Sequence, residues 1–318
     1  MNGVTRWWPH LALLAVAAIY PFVFKSNFAV NFGVLVLMSA YLGQSWNISG
    51  GFAGQLSFGH VAFFGTGAYA ATIFQLKLGF NPWLGLPIAA IAGGLVGWMI
   101  GVLSFRAGLK GSYFALITLA FAEVFRILSN SVPFTGAGLG LLIPLKQTPS
   151  QFQFAERIGF YFVVLALCVL SVAVASWLSR SRFGARLAAI RENEDAARAL
   201  GIDTYREKVR VMILSGALCG IGGCFYAQYY LYIDPTISYS VEKSVEMLLV
   251  TIIGGAGTVY GPLIGAFLLT AVGEITRALT NVQGLSLVVY GVLLIVIIAF
   301  LPNGLIELFR RTPTKRMR

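Results

Sequence analysis

SRFGARLAAIRENEDAARALGIDTYREKVR, residues 181–210, is the one long charged segment of an otherwise apolar chain, and stretches long enough to cross a bilayer flank it on both sides. Together with Arg180 it holds Arg182, Arg186, Arg191, Arg198, Arg206, Lys208 and Arg210, beside five acids: Glu192, Glu194, Asp195, Asp203 and Glu207. A segment so charged between two spans must face water. Its basic excess places it on the cytoplasmic side, where loops between spans accumulate Lys and Arg.

The composition points the same way. The chain is 58% hydrophobic and 11% charged, against about 25% charged for an average soluble domain, and its mean hydropathy is +0.79. Spans of about 20 apolar residues use nearly the whole length, so residues 1–318 are expected to form a single transmembrane domain. The net charge of +11 does not indicate nucleic acid, because the basic residues gather at span ends and in cytoplasmic loops, where anionic lipid and membrane potential account for them. Cys168, Cys219 and Cys224 fall inside apolar runs without CxxC spacing, which argues for packing and against a disulfide framework or metal site. The opening run has no small-residue cleavage site, so it is read as a retained first span.

Apolar runs fall at about 8–24, 28–49, 56–76, 82–104, 111–130, 158–179, 211–232, 242–258, 261–280 and 285–301, which makes ten. With the loop at about 180–210 inside and one at about 131–157 outside, both termini lie in the cytoplasm. Sixteen of the 23 Lys and Arg then lie inside, among them Arg6, Arg106, Lys110 and the tail residues Arg310, Arg311, Lys315, Arg316 and Arg318.

Two runs are interrupted by clustered glycine, GGFAGQLSFGH at 50–60 and IGGAGTVYGPLIGA at 253–266. Irregular backbone survives at membrane depth only where protein buries it or a watery cavity borders it, and Gly-interrupted segments point to transport sites. Gly54, Gln55, Ser57, Gly59 and His60 are therefore candidates for a translocation pathway; close helix packing through small residues is the alternative. Glu246 and two pairs, Glu123 with Arg126 and Glu274 with Arg277, put charge inside spans. The i, i+3 spacing lets each pair neutralise itself on one helix face; contact with the charged ends of a zwitterion is the other reading, and it adds these four residues to the pathway candidates. AEVFRILSN at 122–130 is echoed by GEITRALTN at 273–281.

No phosphate-binding G-x4-G-K-[ST] loop, G-x-S-x-G or HExxH is present, so neither ATP hydrolysis nor another enzymatic reaction is expected of this chain. No cofactor is expected either. From Leu187 to Leu200 the loop is rich in helix formers, and Gly201 suits a left-handed terminus. A short helix lying along the membrane is expected, with Ile190, Ala197 and Leu200 near one face.

GFAGQLSFGHVAFFGTGAYAATI at 51–73 resembles the signature of LivM-type permeases, membrane subunits of ABC importers for branched-chain amino acids. FTGAGLGLLIP at 134–144 is similar to that family's outer loop, with Ala137 where a second glycine is usual, and RFGARLAAIRENEDAARALGI at 182–202 resembles its cytoplasmic loop. Within that loop Asp195, Ala196 and Ala197, then Gly201 and Val211, are similar to the coupling motif of ABC importers, although Asp replaces Glu and the later proline is missing. The resemblance implies an all-α integral membrane protein of about ten transmembrane helices, like a type II ABC importer permease, in a prokaryotic inner membrane. It implies as partners a second, LivH-type permease, two ATPase subunits, a solute-binding protein outside and an amino-acid substrate. Arg191, Glu192, Glu194, Asp195, Ala196, Ala197 and Gly201 become candidates for contact with an ATPase. The alternatives are a urea or short-chain amide importer of related type and, in another class, an ATP-independent secondary transporter or channel, which would not need a coupling loop.

Overall fold

The computed structural model describes residues 8–279 and, beyond them, 288–292, 295, 301 and 304–307. The helices in chain order are α1 (Trp8–Val23), α2 (Asn27–Asn47, extended by a π turn at Ile48–Phe52), α3 (His60–Leu78), α4 (Gly85–Arg106), α5 (Gly111–Ser131) and α6 (Arg157–Leu178). After them come α7 (Arg182–Glu192), α8 (Glu194–Ala199), α9 (Thr204–Tyr230), α10 (Pro235–Ser238), α11 (Val241–Gly254) and α12 (Gly261–Leu279). The strands β1 (Leu141–Leu142) and β2 (Tyr232–Ile233) pair antiparallel. Among the described residues five helical stretches are long and apolar enough to cross a membrane: 27–52, 82–106, 111–131, 157–178 and 204–230. The chain is thus an all-α, multi-pass membrane protein. Most of the span expected at 285–301 lies outside the described residues.

Helix starts follow side-chain chemistry. Ser26, Ser181 and Asp203 each accept a hydrogen bond from a backbone N–H of the turn that follows, opening α2, α7 and α9, as short polar residues do at helix N-caps.

The bundle is built around α9, whose apolar length is mostly buried. Small residues let neighbouring backbones touch it: a methyl group added to Gly216 would lie 2.5 Å from the Gly93 carbonyl oxygen, and one added to Gly93 would lie 2.3 Å from that of Gly216. Similar approaches join Gly97 to Met212 and Gly220 to Ala89 on α4, and Gly223 to Phe64 on α3. This is the close packing that small residues permit between membrane helices.

Loops gather at two ends. At one, Lys110 reaches Asp195 at 3.2 Å and Arg191 reaches the Gly51 carbonyl at 3.0 Å, so the 107–110 turn, the 50–54 break and the charged loop lie together. At the other, Lys77 donates to the Phe134 carbonyl and Trp83 to that of Pro149. The 131–157 segment lies there, tied by β1 to β2.

One stretch departs from the expected spans. Gln228, near the end of α9, hydrogen-bonds Gln75 near the far end of α3. The chain then turns back along α3: Tyr239 stacks on Tyr69 and meets Thr66, and the Ser244 hydroxyl accepts from the Val61 N–H at 3.0 Å. From Gln75 to Val61 is about 21 Å of helix at about 1.5 Å per residue, most of a roughly 30 Å core. Residues 231–240 therefore re-enter the bundle, and α11, about 21 Å long by the same rise, begins deep inside it. The expected full span at 242–258 is corrected to this re-entrant segment followed by a short helix.

Candidate coupling site

The charged loop folds as two helices, where one had been expected from 187 to 200. Asn193 divides them with extended backbone (φ −159°, ψ 106°), and its Oδ1 accepts from the Asp195 and Ala196 N–H groups, capping α8. An Asn side chain that competes for backbone donors favours such a start over a continuous helix. Gly201 closes α8 in the left-handed region at φ +83°. Ile190 and Ala197 are buried, but Leu200 is 83% exposed at the tip of the loop; it does not share their face because α8 ends at Ala199 and Leu200 stands outside it as the C-cap, before the turn at Gly201.

Beneath α8 lies a cluster of charge. The Glu194 carboxylate accepts from Lys208 at 2.9 Å, Arg198 at 3.1 Å and Thr204 at 3.3 Å, with Lys110 at 3.6 Å. Lys208 is 3% exposed, over the Phe105 ring. Burial pushes the Glu194 carboxyl up, yet the hydrogen bond and charge of Lys208, with the Lys110 charge and the Thr204 hydroxyl, outweigh it and hold the group below its ordinary 4.5. Glu207, also buried, accepts from Arg186 at 2.7 Å and meets Arg210 at 3.5 Å. These two carboxylates clamp the loop to the 107–110 turn and the base of α9.

Arg191 joins the loop to both glycine breaks. Its Nη1 donates to the Gly51 carbonyl. A methyl group at Gly54 (φ +68°) would lie 2.8 Å from its Cγ, and one at Gly257 2.5 Å from its Nη1. The breaks also meet each other: the Asn47 Oδ1 accepts from the Gly257 N–H at 2.8 Å, and its Nδ2 donates to the Thr258 carbonyl at 2.9 Å. Two glycine segments some 200 residues apart in sequence thus form one junction, and the charged loop grips it through a guanidinium.

The other candidates divide. Gln55 is partly exposed, its Nε2 turned back to the Ala53 carbonyl. Ser57 and His60 are wholly buried within the protomer. The Ser57 carbonyl accepts from the Trp46 indole at 2.8 Å and its hydroxyl from the Gly59 N–H; the His60 Nε2 lies 2.9 Å from the Ser215 hydroxyl and 3.2 Å from that of Ser49. Gly59 abuts Thr118 of α5, its added methyl only 2.0 Å from the Thr118 carbonyl oxygen. Glu123 and Arg126, at 2.9 Å, pair on α5, and Glu274 and Arg277, at 2.7 Å, on α12, each within its own helix and away from the glycine junction. On the loop surface Glu192, Asp195, Ala196 and Gly201 are exposed.

Lys110, Thr204, Glu207, Lys208 and Asn47 were not singled out from sequence. Lys110, Glu207 and Lys208 had counted only as charges of the cytoplasmic loops, although the adjacent opposite charges of Glu207 and Lys208 at the edge of an apolar run hint at a buried pairing; nothing local marks Asn47.

The family model described as "Branched-chain amino acid transport system / permease component" matches residues 24–298. The chain is 29% identical to the high-affinity branched-chain amino acid transport system permease protein LivM of Escherichia coli, over 94% of this chain and 75% of that protein. It is 27% identical to a probable LivM permease of Methanocaldococcus jannaschii, over 75% and 74% of the two chains, and 27% identical to a probable LivH permease of the same organism, over 74% and 76%. Similarity to both kinds of permease, on a multi-pass helical bundle whose charged loop grips a glycine junction, leaves one family: this chain belongs to the permease components of branched-chain amino acid transport systems.

Proposed function

We propose that this chain is one permease subunit of an ATP-driven importer of branched-chain amino acids, with its charged loop at the cytoplasmic face and both termini inside. The observation that carries the reading is the Arg191 contact: a push on the loop is delivered through the Arg191 side chain to Gly51, Gly54 and Gly257. Support for an ATPase partner comes from the loop surface, where Leu200 projects as an exposed apolar side chain near Arg186, Asp203, Arg206 and Arg210. Beside it, a polar hollow of about 480 Å³ lies between α7, the loop tip and the base of α9. An exposed apolar residue within a charged rim is what a docking groove recognises.

In this reading ATP is hydrolysed on two separate ATPase chains, and a LivH-type permease completes the pathway. A solute-binding protein delivers the amino acid from the side of the 131–157 loop. The fold is a type II ABC importer-like permease of about ten membrane crossings, the 231–240 stretch and α11 together counting as one, in a prokaryotic inner membrane, and residues 1–318 form one domain. The pathway runs between the two permeases. The exposed part of the 50–60 break (Gly54, Gln55) borders it, while Ser57, Gly59 and His60 support that wall from within; Glu123, Arg126, Glu274 and Arg277 lie along its outer half.

Gly201 separates coupling from folding, because a methyl group there would meet nothing within 4 Å, so a side chain leaves the loop into open space at the cost of the left-handed backbone strain of about 1 to 2 kcal/mol. Gly201→Trp is expected to leave the permease folded but block docking of the ATPases. In reconstituted complexes, stimulation of ATP hydrolysis by loaded binding protein should fall about tenfold or more, which corresponds to about 1.4 kcal/mol of lost coupling. Wild-type stimulation and uptake would contradict the proposal.

A further inference from the structure

A second place in the bundle brings charge to membrane depth. Lys243 stands in the first turn of α11, the helix that begins deep inside the bundle. Among the described residues it makes no close ion pair; its ammonium faces the Tyr226 ring at 4.3 Å and the Phe64 ring at 5.4 Å. One turn later the Glu246 carboxylate accepts from the Ser39 hydroxyl of α2 at 3.1 Å. Both side chains line one small cavity with Leu42, Met247 and Val250. A charge in a membrane span is costly and marks function by default, and two opposite charges on one helix face would be expected to close on each other if their purpose were structural. Here each is held apart, the cation by aromatic faces and the anion by a hydroxyl. The positive end of the α11 dipole adds to the attraction for an anion beside Lys243.

We propose that this cavity is a binding site for a zwitterionic, apolar amino acid on its way across the membrane. Lys243 takes the carboxylate, Glu246 takes the ammonium, and Leu42, Met247 and Val250 receive the side chain. The proposal rests on the import reading above and adds to it a site within the permease itself. The void is about 20 Å³, about one water in size, so this is the closed arrangement. Admission of substrate requires α2 and α11 to part, and both helices lead into the glycine junction, through Asn47 and through Gly254–Thr258, that Arg191 grips. Opening of the site is thereby linked to the cytoplasmic loop.

The test uses the assembled transporter in proteoliposomes, with uptake of radiolabelled L-leucine and of L-leucinamide, which lacks the carboxylate. Wild type should prefer leucine. Lys243→Met should lower leucine uptake about tenfold or more, as loss of a charge-assisted contact does, and collapse the preference over leucinamide, whereas Lys243→Arg should retain the preference. Glu246→Gln should lower leucine uptake as well. Met247→Cys, which keeps both charges, should be alkylated by a small thiol reagent more slowly when leucine is being transported. Wild-type leucine uptake in Lys243→Met and Glu246→Gln, a leucine preference that survives Lys243→Met, or alkylation of Met247→Cys indifferent to leucine would overturn the proposal. Failure of the wild-type complex to import leucine with ATP would instead overturn the import reading on which it rests.

Discussion

Gly216→Leu is expected to prevent accumulation of folded protein. At the α4–α9 crossing the Gly93 and Gly216 backbones touch, and any Cβ on either residue falls within 2.5 Å of the opposite carbonyl oxygen. The obstacle is backbone, which cannot rotate away as a side chain can, so the helices must separate and the neighbouring contacts at Gly97 and Gly220 go with them. The cost should be about 3 kcal/mol or more, a large share of the stability of a typical domain. Gly79→Ala is the control: its φ is +68°, but an added methyl would meet nothing within 4 Å, so only the backbone strain of about 1 to 2 kcal/mol applies. Thermal unfolding of the detergent-solubilised permease distinguishes the two. Equal losses would mean that the α4–α9 contact is not the packing core.

Glu194→Ala is expected to cost about 3 kcal/mol, because it strands the buried Lys208 ammonium without its carboxylate. Replacing both partners removes the stranded charge, so Glu194→Met with Lys208→Met should recover most of the loss. The same group gives a pH signature. Its folded pKa is depressed below 4.5, so its contribution is complete above the unfolded value and is lost as pH falls through the lower, folded one. The thermal midpoint of the wild type should therefore fall more steeply than that of Glu194→Gln between about pH 5 and pH 3. Parallel curves, or a double variant as unstable as Glu194→Ala, would place the stability of the loop elsewhere.

Local chemistry made the charged loop legible. The basic excess, the helix formers after Leu187 and the turn glycine at Gly201 are each written within a few residues, and Gly201 adopts the left-handed conformation its position suggests. Asn193 was equally local, but its power to divide a helix depends on whether its side chain caps the next turn, and the surrounding helix formers concealed it. The two glycine breaks were visible as breaks; their meeting was not, because a hydrogen bond from Gly257 to Asn47 spans 210 residues and no periodicity encodes it. The small residues Gly93, Gly97 and Gly101 on α4 and Gly216 and Gly220 on α9 recur every four residues, a spacing that does announce close helix contact once the two helices are known to be neighbours. The re-entrant stretch LYIDPTISYS at 231–240 was hidden because its apolar and aromatic residues read as the margins of spans; long-range contacts, those of Tyr239 with Tyr69, Phe125 and Thr66 and of Ser244 with Val61, reveal that it lies inside. Ser57 and His60 carried the polarity that suggested a watery cavity; in the fold the Ser57 hydroxyl accepts from the Gly59 N–H and the His60 ring lies against the Ser49 and Ser215 hydroxyls.

The link from loop to glycine junction is the centre of the mechanism, and the Arg191 guanidinium makes its contact with Gly51. The most direct measurement is ATP-driven leucine uptake, alongside ATP hydrolysis, by complete transporters carrying Arg191→Ala in proteoliposomes. Loss of the hydrogen bond to the Gly51 carbonyl and of the packing against Gly54 and Gly257 should leave the ATPases docked and hydrolysing while uptake falls about tenfold or more, a coupling loss of about 1.4 kcal/mol. Uptake by Arg191→Ala at the wild-type rate, with hydrolysis still matched to transport, would contradict the mechanism.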